Sequence, residues 1–152
     1  MGVEKVDEKF VTNAAKDGHA EVELAQLAQQ QAGSSQVRAY AQRLAQDHQQ
    51  ADQQLKAIAS QKGIQLPDEP NNKQKRDRDK LAKRQGAEFD KEYIDAVVKD
   101  HKKAIKEFDK EAKDGKDPDI KAFASQTAEK LREHLNQAQK LQTDLKNAPK
   151  TS

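Results

Sequence analysis

From Val37 through Ala41, Leu44, His48, Ala51, Leu55 and Ile58 the intervals alternate between four and three. That spacing keeps all seven positions on one face of a helix. Six of them are apolar, and His48 stands where a core residue is expected, with Asp47 beside it. The arrangement returns 53 residues further on. Tyr40 and His48 are matched by Tyr93 and His101, Asp47 by Asp100, and Leu44, Ala51 and Leu55 by Val97, Ala104 and Phe108. A repeat one helix long predicts a duplicated helical hairpin or bundle, not a solenoid.

The rest of the chain follows the same period. A first helix is expected from Asp7 to Ala32, with the stripe Phe10, Ala14, Asp17, Glu21, Leu24 and Ala28 facing inward. Gly33-Ser34-Ser35 ends it and caps the next helix: glycine accepts the left-handed turn and serine receives a free backbone N–H. The second helix runs to Gly63, where the proline-containing stretch IQLPDEPNN forms a loop. A short charged helix is expected over Lys73 to Gln85, stopping at Gly86. A long helix then runs from Glu88 to Asp114-Gly115, with Ile94, Val97, His101, Ala104, Phe108 and Glu111 or Ala112 inward. Asp117-Pro118 opens the last one, whose stripe is Ile120, Ala124, Thr127, Leu131, His134, Ala138, Leu141 and Leu145, and Asn147-Ala148-Pro149 ends it. The fold class is therefore all-α. A lead-in at 1–6 precedes a single domain at 7–147, and a polar tail follows at 148–152. A crossover of about 25 residues between two hairpins is long enough to traverse the bundle, which gives a four-helix bundle of ferritin-like connectivity.

Composition narrows the function. Charged residues make up 36% of the chain, but 28 basic residues balance 26 acidic ones. The most basic run, KQKRDRDK at 73–80, is interrupted by two aspartates, so no nucleic-acid surface is expected. Aromatics are only 4%, so the core is built mainly of Ala, Leu and Val. Cysteine is absent, which removes disulfides, thiolate metal ligands and thiol nucleophiles. No apolar run reaches the length of a membrane span. The opening Met1-Gly2-Val3 passes directly into charged sequence, as in a chain from which an export signal has been removed.

Counted from the turns, Asp17, Glu21, His48, His101 and His134 fall within roughly 6 to 8 Å along the bundle axis. Buried imidazoles and carboxylates without partners are costly, so either a metal ion or a closed hydrogen-bond network must offset them. Nitrogen and carboxylate donors suit zinc, copper, iron, nickel or manganese. Asp47 and Asp100 lie off the stripe as candidate outer partners, with Tyr40 and Tyr93 closing the layer. The alternative is a metal-free polar layer that sets helix register. His19 is expected on the surface, and Glu107, Glu111 and Glu133 on a solvated flank.

The segments FVTNAAKDGHAEVELAQLA, SSQVRAYAQRLAQDHQQADQQL, FDKEYIDAVVKDHKKAIKEF and DPDIKAFASQTAEKLREHLNQAQKL are similar to the bacterial domain of unknown function 4142. Its most specific marks here are Glu21, the two Asp-His pairs, the FDKEY run from Phe89, and His134. The resemblance covers about residues 7–147. It implies an exported envelope protein of ferritin-like fold, and it supplies no reaction. Di-iron carboxylate proteins of that architecture carry Glu-x-x-His on two helices. Here Ala45 and Leu131 stand where those glutamates would be, which favours zinc or copper over iron. No nucleophile–base pair, phosphate loop or cofactor motif is present, and no enzymatic turnover is expected. The expectation is a periplasmic protein holding a transition metal through Glu21, His48, His101 and His134, with Asp17 as a candidate fifth ligand. Its role would be metal sequestration or stress protection. The competing expectation is a metal-free structural or stress-protective envelope protein. Homodimer formation and a protein partner are left open.

Overall fold

A computed structural model describes residues 2–147; Met1 and the expected tail at 148–152 lie outside the described residues. The described chain is helical, with α1 (Lys5–Gln31), α2 (Ser35–Lys62), α3 (Asn72–Ala82), α4 (Gly86–Asp114) and α5 (Pro118–Asn147). Local chemistry sets the boundaries. The Ser34 hydroxyl accepts the Val37 N–H at 3.3 Å and opens α2. Asn71 and Gln74 form a reciprocal capping box at the start of α3. The Asp117 carboxylate accepts the N–H groups of Asp119 and Ile120 at 2.9 and 3.0 Å and opens α5. Gly63 closes α2 at φ +70, a conformation that costs glycine nothing. Gly86, expected to stop the third helix, instead starts the fourth with φ +60.

Of the long helices, α1 packs along α2 and α4 along α5, while α1 also borders α4 and α2 borders α5. Ala32, at the α1–α2 turn, meets Gly86 at the start of α4. Helices α2 and α4 therefore start at the same end and run in the same direction, diagonally across from each other. The short α3 lies against α1 and α4.

Two buried carboxylates tie the ends. Asp7 on α1 is fully buried and accepts the backbone N–H groups of Lys116 and Asp117 in the α4–α5 turn, at 3.1 and 2.8 Å. Asp90 on α4 accepts those of Gly33 and Ser34 in the α1–α2 turn, both at 2.9 Å. Each hairpin thus finishes the turn of the other. One sequence interval separates Asp7 from Asp90, Gly33 from Lys116, Ser34 from Asp117, Val11 from Ile94 and Val37 from Ile120. The structural duplication therefore relates the α1–α2 hairpin to the α4–α5 hairpin. The 53-residue likeness instead links α2 to α4, which hold different places in that duplication.

The core forms two apolar clusters. One contains Leu24, Val37, Leu44, Phe89, Tyr93 and Val97; the other contains Val11, Leu55, Phe108, Ile120, Phe123 and Leu131. Along α2, His48 lies between Leu44 of one and Leu55 of the other; along α4, His101 lies between Val97 and Phe108. The histidines occupy the seam.

Two side-chain expectations are corrected. The buried face of α1 runs through Asp7, Val11, Ala14, Ala15 and Gly18, so that Phe10 and Asp17 are only half-buried on its edge. Glu111 is buried, as one alternative for the α4 stripe had it and not on a solvated flank, because its carboxyl lies against Asp7 beneath the α4–α5 turn. Glu107 is half-buried and Glu133 exposed.

Candidate metal centre

The helices bring His48 of α2, His101 of α4 and His134 of α5 together, with ring centroids 5.6, 5.6 and 5.7 Å apart. One nitrogen from each ring lies within 4.8 Å of the other two. Three imidazole nitrogens on one zinc ion at 2.0–2.1 Å stand roughly 3.3–3.6 Å apart. The rings therefore need to close by only about an ångström, well within side-chain adjustment. Among the described residues this is the group of histidine or carboxylate ligands spaced to share an ion.

Hydrogen bonding fixes which nitrogens are free. The Val97 carbonyl lies 2.9 Å from His101 Nδ1. A carbonyl only accepts, so Nδ1 carries the proton and Nε2 keeps its lone pair. Asp47 lies 2.8 Å from His134 Nε2, which donates to the carboxylate and leaves His134 Nδ1 free. The buried nitrogens without a hydrogen-bond partner are His48 Nε2, His101 Nε2 and His134 Nδ1, one from each ring. A carboxylate or carbonyl that holds the far nitrogen of an imidazole is the usual outer arrangement around a bound metal.

Electrostatics keep these rings neutral. Burial pushes the His48 imidazole well below the ordinary range, reinforced by its two histidine neighbours. Burial likewise lowers His101 to about 4, helped by His134 and opposed by the Val97 bond. His134 is also lowered, by burial first, with Asp47 pulling the other way. Neutral imidazole is the metal-binding form.

The other expected site residues take different places. Glu21 is buried, at 7% exposure, but stands outside the close triad. Burial raises its carboxyl well above the usual range, and the charge of Asp100, with which it shares a hydrogen bond, raises it further. Asp17 accepts a 2.7 Å bond from Gln74 of α3 and does not join the triad. Asp47 serves His134 rather than its chain neighbour His48, because one step along α2 turns it toward α5. Asp100 pairs with Glu21. The Tyr40 hydroxyl donates to the His134 carbonyl at 2.8 Å, whereas the buried Tyr93 hydroxyl has no partner. His19 is half-buried, not on the surface, with Nε2 3.2 Å from the Pro67 carbonyl. The Asp7–Glu111 pair and Asp90 were not visible as functional carboxylates from helical spacing. The interval shared by Asp7 and Asp90 with the two turns is the signal that carries them.

Alongside the triad runs a cavity of about 210 Å³, lined by Glu21, His48 and His101, with the exposed Asp100 on its rim and Asn71 and Lys73 at the α3 side.

These features define an all-helical protein with three neutral imidazoles gathered at its middle, two of them buried and one half-buried. The sequence matches the family described as Domain of unknown function (DUF4142) over residues 1–141, and the chain belongs to that family. None of the curated proteins matches it. Its structure is similar to a DUF305 fragment from Deinococcus radiodurans at TM-score 0.84 and 12% identity, covering 95% of this chain and 99% of that one. It is also similar to a DUF305 protein from Streptomyces coelicolor that is described as secreted, at TM-score 0.79 and 12% identity, covering 97% and 98%. At that identity the likeness concerns the fold alone. No catalytic family emerges from these matches. Among the described residues, no helix is long and apolar enough to cross a membrane.

Proposed function

We propose that this protein is an exported four-helix bundle of ferritin-like connectivity that binds one transition-metal ion through His48, His101 and His134. The observation that carries this reading is that each of the three histidines has a buried ring nitrogen without a hydrogen-bond partner, in a group whose rings offer one nitrogen each within 4.8 Å of one another. Leaving three buried polar atoms unpaired costs several kcal/mol, and one ion would satisfy all three. Asp47 and the Val97 carbonyl orient two of the rings for it. An all-nitrogen donor set suits zinc or copper better than iron. Glu21 and Asp17 line the adjacent cavity and serve the surroundings of the ion. The role is metal sequestration or buffering in the envelope, as stress protection, without turnover. Export is supported by the secreted description of the Streptomyces relative.

A second reading has its own observation. The Tyr40–His134 and Asp47–His134 bonds already tie α2 to α5, so the layer could set register without an ion. Calorimetric titration of chelator-stripped protein with zinc, copper(II) and nickel separates the two. Stoichiometric binding at micromolar affinity or tighter, lost in His48→Ala/His101→Ala, is expected. Binding that is absent, or indifferent to the double substitution, would leave the register reading in place.

A further inference from the structure

The interval that relates the two hairpins also pairs residues around the triad. His101 corresponds to Gly18, His134 to Ala51 and His48 to Leu131. All three counterparts line the cavity. The duplicated fold therefore has two equivalent halves at its middle: one is filled by imidazoles, and the other, where the Asp52 carboxylate occupies the space beside Gly18, borders the cavity. At about 210 Å³ the opening holds several water molecules, since one needs roughly 10–15 Å³ of such volume. His48 and His101 line it, so the triad borders it directly. Glu21 enters it from α1, 7% exposed, with its Oε2 buried and without a hydrogen-bond partner. Three histidines account for three donors of an ion that commonly takes four. The orphaned Glu21 oxygen is left over.

Resting on the metal reading above, we propose that the cavity is a ligand chamber for the metal. A water molecule, exchangeable for a small anion, completes the coordination from the cavity side and hydrogen-bonds to the Glu21 carboxyl. Glu21 is thus a positioning residue for an exogenous ligand and not itself a ligand. The centre belongs to the open class, in which three protein donors leave a position free, and not to the closed structural class. The chemical class that fits is a small donor no larger than the chamber.

Cobalt(II) loaded into chelator-stripped protein tests this, because its visible absorption reports the coordination sphere. Sodium azide is expected to shift the bands saturably in the unaltered protein. Glu21→Gln is expected to load cobalt with unchanged stoichiometry while altering azide affinity and the pH dependence of the bands. Thr127→Leu, which fills the chamber from α5 at a position outside the triad, is expected to load cobalt and weaken azide by about tenfold or more. Circular dichroism confirms that each variant is folded. Failure of the unaltered protein to take up cobalt would sink the metal reading itself. Uptake with bands indifferent to azide and pH would overturn the chamber alone. Loss of loading in folded Glu21→Gln would also overturn it, since Glu21 would then be the fourth donor.

Discussion

Two buried groups give this protein opposite responses to pH. The Glu111 carboxyl rises to about 8, through burial first and then its hydrogen bond and charge contact with Asp7. The folded chain therefore holds a proton there that the unfolded chain, with an ordinary glutamate near 4.5, gives up. That contribution is complete below about 4.5 and is lost as pH rises toward 8. His101 behaves in the reverse sense. Its folded value of about 4 lies below the ordinary 6.5, so its contribution is complete above 6.5 and is lost as pH falls toward 4. Melting temperature of the metal-free protein should therefore be highest across the overlap of the two windows, about pH 4.5 to 6.5, where the opposite slopes cancel. Glu111→Gln keeps a donor to Asp7 and should make the alkaline limb shallower, the rest being carried by Glu21; His101→Gln should make the acid limb shallower, the rest being carried by His48 and His134. A thermal-melt series from pH 4 to 9 on both variants decides it, and limbs whose slope is unchanged by their substitution would refute the assignment. Asp47 offers a second test at this scale. Asp47→Ala frees the far nitrogen of His134 and should weaken zinc binding by about 10- to 100-fold with the triad intact. Competition against a chelator of known affinity measures it.

At the scale of elements, the reach of helical periodicity is clear. It places the long helices to within a few residues, because a stripe at three-four spacing, bounded by Gly33, Gly63 and Gly115, leaves little freedom. The same spacing brings out His48, His101 and His134, since a histidine among apolar positions breaks the pattern visibly. It fails where contacts are made by side chains off the stripe. Asp17 and Phe10 follow the same spacing on a neighbouring row of α1, and period alone does not separate that row from the buried one through Val11 and Gly18. Glu111 resembles any flank glutamate until Asp7 is brought to it from more than a hundred residues away. Asp47 could face either neighbour of α2, and only the packing of α5 selects His134. The carboxylate clasps also predict mutational effects here. Asp7→Ala and Asp90→Ala each remove the carboxylate that two part-buried turn N–H groups donate to, which should cost about 1–3 kcal/mol apiece. The sites lie at opposite ends of the bundle, so their costs should add in the double variant, as read by urea unfolding.

For the whole molecule, the arrangement tolerates wide change in sequence. Two DUF305 proteins keep the same course of helices over nearly the full length at 12% identity. A core made mostly of alanine, leucine and valine asks for matched size and period more than for particular residues. Against that permissive background, the polar atoms at the seam are the specific part of this chain. The reciprocal clasps carry a further consequence. Neither hairpin is complete alone, since Asp7 closes a turn of the other half and Asp90 returns the contact. Besides packing Ile64 and Leu81 into the core, the segment from Gly63 to Gln85 acts as a tether that raises the local concentration of two complementary halves. A protease nick near Pro67 should leave fragments that remain associated and can be mixed back from separate preparations. The chain behaves, in that sense, as a heterodimer whose two subunits happen to be covalently joined.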